Sequence, residues 1–381
     1  MPPKSKWNNL DQMPRNPKIK SLYVHIPFCA HLCHYCDFTK MLYRLEEADR
    51  YLQRLFFEID SYHIQDLETI YVGGGTPTSL NHNQLKSLIE KLSPLLKDGG
   101  EFSVEANIEN ASQEKLRILK QHGVNRLSFG VQSFQPRLLR HMNRLHDEGQ
   151  TNIAISQAKE CGFTNISVDL IYDLPTQNDA DLIDDIQKAI ALDVPHISTY
   201  SLSIHHATVY GIRGYLEADS DESRRHYDII LSMLRAAGYT RYEVSNFAKP
   251  GYMGRHNLTY WNNEQYYGVG LGASGYVKNR RYTNTKNFRK YLEGSTISEQ
   301  EEVTITDQET YFLMLKLRLQ QGFSDSEYRH MFKQSFTAKY PQAINLLLQR
   351  GLLHHRKNRW YATDEGLMLL DQVLLTLLKE H

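Results

Sequence analysis

Residues 21–36 read Ser21-Leu-Tyr-Val-His-Ile-Pro-Phe-Cys-Ala-His-Leu-Cys-His-Tyr-Cys36. The first six of these residues are mostly apolar, aromatic or β-branched, which predicts a strand. Pro27 ends that strand, because proline lacks a backbone donor and fixes φ. The cysteines at positions 29, 33 and 36 therefore lie on a loop, where they supply thiolates at the spacing C-x3-C-x2-C.

Closely spaced thiolates suit two kinds of metal group, a zinc ion or an iron–sulfur cluster. A closed structural zinc site needs a fourth ligand, which His31 or His34 is able to supply. Iron–sulfur clusters are held by cysteine, and a cluster with one ligand missing keeps an iron open for a small molecule. The spacing favours the cluster and leaves zinc as the alternative.

The composition is that of a neutral protein from a reducing compartment. The chain has 381 residues, enough for about two domains. Lys+Arg and Asp+Glu both total 44, so no net field draws the chain towards nucleic acid or an acidic membrane. Of the 4 cysteines only Cys161 lies outside the loop, which argues against a disulfide framework. Cys161 ends a predicted helix, and we expect it to be a buried apolar filler.

The sequence predicts neither a signal peptide nor a membrane anchor. Residues 1–20 are basic but contain no apolar run of the kind that a signal peptide needs. No apolar run anywhere approaches the roughly 18 residues that span a bilayer. We therefore expect a cytoplasmic protein without an integral membrane segment.

Residues 21–248 repeat one pattern, a β-rich run followed by a loop and an amphipathic helical run. Such repetition predicts parallel βα units and an α/β fold class. Six strands are predicted at 21–26, 69–73, 101–105, 125–129, 165–171 and 196–201, with a possible extra strand at 242–245. Right-handed crossovers curl such strands into a partial (β/α)6 TIM-like barrel, with functional residues after the C-terminal ends of the strands.

The remaining sequence predicts a connecting segment and a second domain. Residues 249–300 are rich in Gly, Tyr and Asn without a strong period, so we expect irregular connecting structure there. Beyond them, two capping boxes predict helix starts, Thr306 with Glu309 and Ser324 with Glu327. The predicted domains are an N-terminal extension at 1–20, the barrel at 21–248, the connecting segment at 249–300 and a winged-helix-like α+β domain at 301–381.

The predicted wing, at residues 351–362, has a basic tip. Its basic residues are His354, His355, Arg356, Lys357 and Arg359. A wing of this kind is able to bind DNA, whereas a solvated hairpin turn needs no partner. The neutral net charge favours the hairpin, so no nucleic-acid partner is expected.

Polar residues follow several of the predicted strands. Gly73-Gly-Gly-Thr-Pro77 comes after the second strand, where glycines either present backbone amides to a ligand or simply form a tight turn. Glu105, Gln132 and Asp169 end later strands, and Arg144 follows a short helix. Arginine suits a carboxylate, while acids and amides suit ribose hydroxyls. Each alone would be an ordinary rim residue, but their placement on one face indicates a ligand site.

These motifs together resemble the radical S-adenosylmethionine (SAM) family, in the branch related to oxygen-independent coproporphyrinogen III oxidase. The resemblance runs from about residue 20 to residue 378. It rests on Tyr23-Val-His-Ile-Pro-Phe-Cys29, the C-x3-C-x2-C loop, Gly73-Gly-Gly-Thr-Pro77, Phe129-Gly-Val-Gln-Ser133 and Val168-Asp-Leu-Ile-Tyr-Asp-Leu-Pro175.

The resemblance implies a [4Fe-4S] cluster on Cys29, Cys33 and Cys36, with SAM chelated to the open iron by its amino and carboxylate groups. It implies a SAM site lined by Tyr23, the backbone near Tyr35, Gly74, Gly75 and Thr76. It also implies that the ribose and methionine ends are held by Glu105, Gln132, Asp169 and Arg144, with Arg144 on the carboxylate. An electron donor is implied as well, because cleavage of SAM to a 5′-deoxyadenosyl radical begins with an electron delivered to the cluster.

Two functions compete within this branch, an oxidase that decarboxylates coproporphyrinogen III and a chaperone that hands heme to apoproteins. The oxidases carry a further cysteine two residues after the third cluster ligand, where this chain has Phe38. They also have a longer N-terminal segment over the active site. Cys36-Asp37-Phe38 resembles the heme-chaperone (HemW-like) subgroup instead.

A second feature is Arg255-His-Asn-Leu-Thr-Tyr-Trp261, which is similar to the H-N-x-x-Y-W motif of the chaperones. Histidine is an axial ligand of heme iron, and Tyr260 and Trp261 are able to stack on a macrocycle. His256 is therefore the predicted heme ligand, and the alternative is a hydrogen-bonded core histidine. The family often has a second histidine where this chain has Ser274, so no second ligand is predicted from that stretch.

The sequence therefore predicts a radical SAM-type heme chaperone that binds a [4Fe-4S] cluster, SAM and heme and passes heme to apoproteins. The alternative is oxygen-independent coproporphyrinogen III oxidase, although coproporphyrinogen III dehydrogenase activity is not expected. The sequence specifies neither productive SAM cleavage nor a homodimer.

Overall fold

The structure is a computed structural model and describes residues 18–379. Most of the predicted extension at 1–20, namely residues 1–17, lies outside the described residues. The first half of the chain forms β1 Ser21–Ile26, β2 Phe28–Cys29, β3 Met41–Leu42, α1 Leu45–Ser61, β4 Leu67–Gly74, α2 His82–Leu92, β5 Leu96–Asn107, α3 Gln113–Gln121, β6 Arg126–Gln132, α4 Pro136–His141, α5 Glu148–Glu160, β7 Asn165–Tyr172, α6 Asp179–Ala191 and β8 His196–Ser201.

The second half continues with shorter elements. They are α7 Val209–Ile212, α8 Ser220–Ala236, β9 Thr240–Arg241, β10 Asn246–Ala248, α9 Arg255–Trp261, β11 Tyr267–Val269, β12 Ser274–Val277, β13 Arg280–Asn284, α10 Phe288–Leu292, β14 Ile297–Glu302, α11 Ile305–Lys316, β15 Phe323–Ser324, α12 Asp325–Phe332, α13 Phe336–Lys339, α14 Pro341–Gln349, β16 Leu353–Arg356, β17 Arg359–Ala362, α15 Asp364–Met368 and α16 Leu370–Leu378. Within residues 18–379, no helix combines the length and apolar character needed to cross a membrane.

The main sheet has 9 strands in the order β11-β1-β4-β5-β6-β7-β8-β10-β9. The predicted strands are all present, and β1, β4, β5, β6, β7 and β8 pair in parallel. The described strands do not close into a barrel, which confirms the α/β class with a partial barrel. The possible strand at 242–245 was wrong, because β9 and β10 flank that stretch and pair with each other as an antiparallel hairpin.

The two faces of the parallel sheet differ in polarity. Alternate residues of β1, including Leu22 and Val24, are fully buried in the main apolar cluster with the surrounding helices. The residues between them lie on the inner face, where Tyr23 Oη is 2.9 Å from His25 Nδ1. Parallel strands that are covered on both faces are normally apolar throughout. A polar inner face is therefore the first structural sign of a binding interior.

Residues 249–300 are more regular than the sequence predicts. They contain α9, then β11, which pairs in parallel with β1 and extends the sheet edge, and then an antiparallel sheet of β12, β13 and β14. The glycines and asparagines that suggested irregular structure sit at turns, as at Lys278-Asn279, where both residues have positive φ. The segment thus covers one open edge of the partial barrel.

The C-terminal elements form a separate apolar cluster around Phe312, Phe323 and Trp360. The capping box Ser324 with Glu327 is confirmed, whereas the predicted box at Thr306 is wrong because the helix begins two residues earlier, with Thr304 as its N-cap. The basic tip is a hairpin turn between β16 and β17, and β17 also pairs with β15. Acidic residues lie beside the tip. Asp325 is 3.6 Å from His355, and Glu327 is 3.5 Å from Arg359.

Candidate functional site

The cysteine loop lies directly after β1, at the C-terminal end of the parallel strands. Cys29 is buried at the end of β2, and Cys33 and Cys36 are half-buried in the loop that follows. Burial, with a smaller contribution from the neighbouring Cys36 and Cys33, raises the pKa of the Cys29 thiol to about 12. The thiols are thus close enough to feel each other's charge, as ligands of one metal group must be.

The loop is held in place by neighbouring backbone rather than by its own secondary structure. His34 Nδ1 lies 2.8 Å from the carbonyl oxygen of His141, and the His34 amide donates to Met142 at 3.1 Å. Asn143 donates through its side chain to the carbonyl of Leu32 at 2.9 Å. His34, which the sequence offered as a zinc ligand, is therefore an anchor of the loop.

The ligand geometry bears on the choice between zinc and a cluster. Within residues 18–379, no three His, Cys, Asp or Glu side chains are arranged around a single metal ion. A tetrahedral zinc ion would bring thiolates to about 4 Å from each other. A four-iron cluster binds each thiolate on a different iron and so accepts a wider triangle. The described side chains are thus not arranged around a single zinc ion, and a cluster on Cys29, Cys33 and Cys36 stays a prediction.

Gly75, which directly follows β4, makes room for the cysteine loop. A Cβ atom on Gly75 would lie 2.8 Å from Pro27 C and 3.0 Å from Cys29 Sγ, so only glycine fits there. The amides of Gly74, Gly75 and Thr76 are not free, because they donate to Glu105, Ile26 and Phe28 respectively. Of the two interpretations that the sequence left open for this turn, these hydrogen bonds favour the tight turn. The turn brings Thr76 Oγ1 within 3.8 Å of Cys29 Sγ.

Glu105 lies at the end of β5 on the polar face. Its carboxylate accepts from Tyr71 Oη at 2.7 Å and from the Gly74 amide at 3.0 Å. Burial raises the pKa of Glu105 to about 7, and those two donors oppose the shift. An acid with such a pKa changes its charge near neutral pH, which is unusual and typical of functional sites.

Arg144 is 5% exposed and lies against the cysteine loop. Its Nη1 is 3.8 Å from Cys33 Sγ, and its Nη2 donates to Gly130 O at 2.7 Å and to Glu109 Oε2 at 3.1 Å. Its Nε is buried and has no hydrogen-bond partner. A buried N–H without a partner is costly in a folded protein, so this group fits a site for an acceptor such as a carboxylate.

Gln132 ends β6, and Asp169 lies within the neighbouring strand β7, where it pairs with Gly130. Gln132 has φ of 71°, a left-handed conformation that costs a non-glycine residue of order 1 kcal/mol or more and clusters at functional sites. Its side chain makes no hydrogen bond to any residue that the structure describes. Asp169 accepts from Ser128 at 3.0 Å and Ser167 at 3.4 Å, and burial raises its pKa. Gln132 is therefore the more open of the two to a ligand.

A cavity of about 310 Å³ opens beside the cysteine loop. Tyr23, Asp37 and Phe38 line it on the side of the loop, and Tyr260, Tyr266 and Lys286 line it on the side of the segment that covers the sheet edge. A larger groove, of about 670 Å³, lies on the outer surface between α6 and α8 and is lined by none of the predicted site residues. The smaller cavity is thus the one that belongs to the site.

His256 is a buried residue of α9, only 1% exposed. Its Nδ1 lies 2.7 Å from Thr69 Oγ1, and its Nε2 lies 2.8 Å from Tyr260 Oη. Its ring stacks on Tyr71 at 5.3 Å, and burial lowers its pKa to about 3. Both ring nitrogens are thus hydrogen-bonded, and ligation of heme iron by Nε2 would require it to leave Tyr260.

The two remaining predicted site residues, Tyr23 and Tyr35, lie in different places. Tyr23 lines the cavity, and its ring lies 6.2 Å from that of Tyr71. Tyr35 packs against the small apolar cluster below the cysteine loop. Sequence reasoning missed Tyr71, which contacts Tyr23, Glu105 and His256. The period-two pattern of β4 was the available signal. Tyr71 lies two residues from both Thr69 and Gly73, so all three share the inner face of the sheet.

Comparison with known proteins agrees with this fold. The model of the Radical SAM superfamily matches residues 23–189, and the model of the HemN C-terminal domain matches residues 305–369. The solved structure of coproporphyrinogen III oxidase (HemN) from Escherichia coli superimposes with a TM-score of 0.82 at 22% identity, covering 94% of this chain and 90% of that one. The fold and the cysteine site define a radical SAM protein.

Curated relatives narrow the class. The heme chaperone HemW of Bacillus subtilis is 40% identical, covering 95% of this chain and 100% of the relative. The heme chaperones HemW of Lactococcus lactis and Escherichia coli are 38% and 32% identical, covering 93% and 94% of this chain and 96% and 98% of the relatives. The chain belongs to the HemW family.

Proposed function

We propose that the chain is a heme chaperone of the radical SAM type, which binds a [4Fe-4S] cluster, SAM and heme and transfers heme to apoproteins. The observation that carries the proposal is the cavity beside the cysteine loop, because it joins that loop to Tyr260 of the H-N-x-x-Y-W motif. The names of the curated relatives support the same function. Cytoplasmic location, an electron donor and the four-part domain division predicted from the sequence belong to this proposal.

In this proposal the cluster is held by Cys29, Cys33 and Cys36, and SAM lies across the polar ends of the strands. Arg144 orients the SAM carboxylate, and its buried Nε is the donor without a partner. The SAM site is lined by Tyr23, Tyr35 and the turn of Gly74, Gly75 and Thr76. The ribose and methionine ends of SAM form hydrogen bonds with Glu105, Gln132 and Asp169. When bound, the cluster and SAM supply one-electron chemistry to the site.

We expect the affinity for SAM to rise as the pH increases through about 7 and then to level off. Burial raises the pKa of Glu105 to about 7, so the carboxyl is largely protonated below that pH and ionised above it. The ionised form is the stronger acceptor of ribose hydroxyls, and therefore the acceptor is lost on the acid side. Calorimetric titration of SAM over this pH range measures the effect. Glu105→Gln is the control, because a change in affinity that comes from protonation of SAM itself also occurs in that variant. Identical pH profiles for the two proteins would contradict the role of Glu105.

Heme is proposed to enter the cavity with one edge and to leave the other accessible. Tyr260 and Tyr266 lie with their ring centres 4.7 Å apart, and Phe38 on the opposite wall is 62% exposed. Aromatic side chains of this kind pack on a flat macrocycle. Heme is larger than the cavity, so part of the macrocycle would remain exposed, as transfer to an apoprotein requires.

His256 is the residue that would hold the heme iron, through Nε2, which would then no longer bond to Tyr260. His256→Asn keeps a side chain able to bond to Thr69 but removes the ring nitrogen, so we expect the Soret band of bound heme to shift and the Kd to rise about tenfold. Tyr260→Phe removes only the hydroxyl that competes for Nε2, and we expect it to preserve the spectrum. Anaerobic heme titration of the reconstituted protein checks both variants. An unchanged Soret band in His256→Asn would show that His256 is a packing residue only.

A further inference from the structure

Lys286 lies at the mouth of the cavity, between β13 and α10. Four of the other residues that line the cavity are aromatic, namely Tyr23, Phe38, Tyr260 and Tyr266, and polar side chains such as Thr39 and Ser274 line it between them. Lys286 is exposed and is the one cation among the described residues that line this cavity. An aromatic slot with an ammonium at its rim is the kind of site that holds a flat ligand bearing a carboxylate.

The ammonium of Lys286 is also free to bind a ligand. Between residues 18 and 379 it has no carboxylate within ion-pair distance, whereas several other lysines do, such as Lys188 beside Asp184 and Glu148 at 2.7 and 3.0 Å. The carboxylate in the lining of the same cavity belongs to Asp37, and its Oδ2 lies 3.2 Å from His205 Nε2. Asp37 thus has its own partner, and Lys286 has none.

We propose that Lys286 binds a carboxylate on the edge of the tetrapyrrole and so makes the cavity selective for macrocycles with free propionate side chains. The inference rests on the proposed function, since it takes heme as the ligand of this cavity. The aromatic walls hold the ring by packing, which does not depend on the side chains of the macrocycle. Lys286 adds a charge-assisted contact that only an ionised propionate provides.

The carboxylate of SAM is the other anion near this site, and the geometry assigns it elsewhere. Arg144 lies against Cys33, 3.8 Å from its sulfur, and its buried Nε lacks a partner. Lys286 lies instead on the segment that covers the sheet edge, together with Tyr260 and Tyr266. Loss of Lys286 should therefore change the affinity for heme and leave the affinity for SAM as it is.

The test compares heme with its dimethyl ester, which has the same ring and iron but no ionised propionate. Both ligands are titrated, in the same detergent, into the anaerobically reconstituted full chain. The variants are Lys286→Met, Lys286→Arg and the control Lys290→Met, which removes an exposed lysine of α10 outside the cavity. Calorimetric titration of SAM into each protein is the second readout.

We expect the wild type to bind heme about three- to tenfold more tightly than the ester, the range for a charge-assisted contact at a partly exposed site. Lys286→Met should reduce the affinity for heme to that for the ester, without changing the affinity for the ester or for SAM. Lys286→Arg should keep the difference in affinity between heme and ester. Lys290→Met should behave as the wild type. Equal wild-type affinities for heme and ester, or an equal loss of both in Lys286→Met, would overturn the inference while leaving heme binding intact. Failure of the wild type to bind either macrocycle would overturn the proposed function and the inference together.

Discussion

Replacing Cys33 with alanine is expected to abolish the iron–sulfur cluster while leaving the fold intact. A cluster that already lacks a fourth protein ligand cannot lose another and remain stably bound. The loop itself stays in place, because its contacts to the 141–143 segment are made by His34 and Leu32 and do not involve the sulfur. Iron content and visible absorbance after anaerobic reconstitution measure the loss of the cluster, and thermal unfolding of the unreconstituted protein measures the fold.

Cys161 provides the matched control. It is the C-cap residue of α5 and lies outside the cysteine loop, where its thiol is 3.9 Å from the carbonyl of Gln113. Cys161→Ala should therefore bind as much iron as the wild type. Full iron content in Cys33→Ala, or an equal loss of iron in both variants, would refute the ligand assignment.

Arg144→Leu is expected to have two large effects, on stability and on SAM binding. Glu109 is a largely buried acid, and its pKa is held at about 2 with help from His146 and Arg144. The variant removes the guanidinium that pairs with it. Breaking a buried ion pair in this way costs about 3 kcal/mol of unfolding free energy. Loss of the donors to the SAM carboxylate should raise the Kd for SAM at least ~10-fold. Urea unfolding and calorimetric titration of SAM measure the two effects.

Two further variants separate those effects. Glu109→Gln in the Arg144→Leu background removes the unpaired charge, so it should restore part of the stability but none of the SAM affinity. Arg140→Leu, which replaces an exposed arginine on the short helix α4 that precedes Arg144, should change neither quantity. Recovery of SAM binding in the double variant would mean that Arg144 acts through stability alone.

The fold of residues 21–201 could be predicted because local signals agree with the tertiary structure. Apolar β-rich runs mark the parallel strands, and Asn81 with Gln84 forms the capping box that begins α2. The cysteine spacing and the polar strand ends marked the site, and the structure brings the cysteines, Gly75, Thr76 and Arg144 to one end of the sheet. Short-range patterns sufficed, because each βα unit repeats the same geometry.

Residues 249–300 could not be predicted in the same way, because tertiary contacts decide their structure. β11 is only 3 residues long and becomes a strand by pairing with β1, far away in sequence. The same segment contributes Tyr260 and Lys286 to the cavity, so the lining of the cavity could not be inferred from local pattern. The bonds of His256 to Thr69 and Tyr260 likewise depend on the packing of α9 against β4.

The most direct test of the account is one anaerobic incubation of the reconstituted protein with SAM, a reductant, heme and coproporphyrinogen III, followed by analysis of bound heme and of porphyrin products. For a heme chaperone, we expect that heme is retained by the protein and that coproporphyrinogen III is recovered unchanged. Sustained conversion of coproporphyrinogen III to protoporphyrinogen IX would contradict this expectation and would make the protein an oxidase despite Phe38.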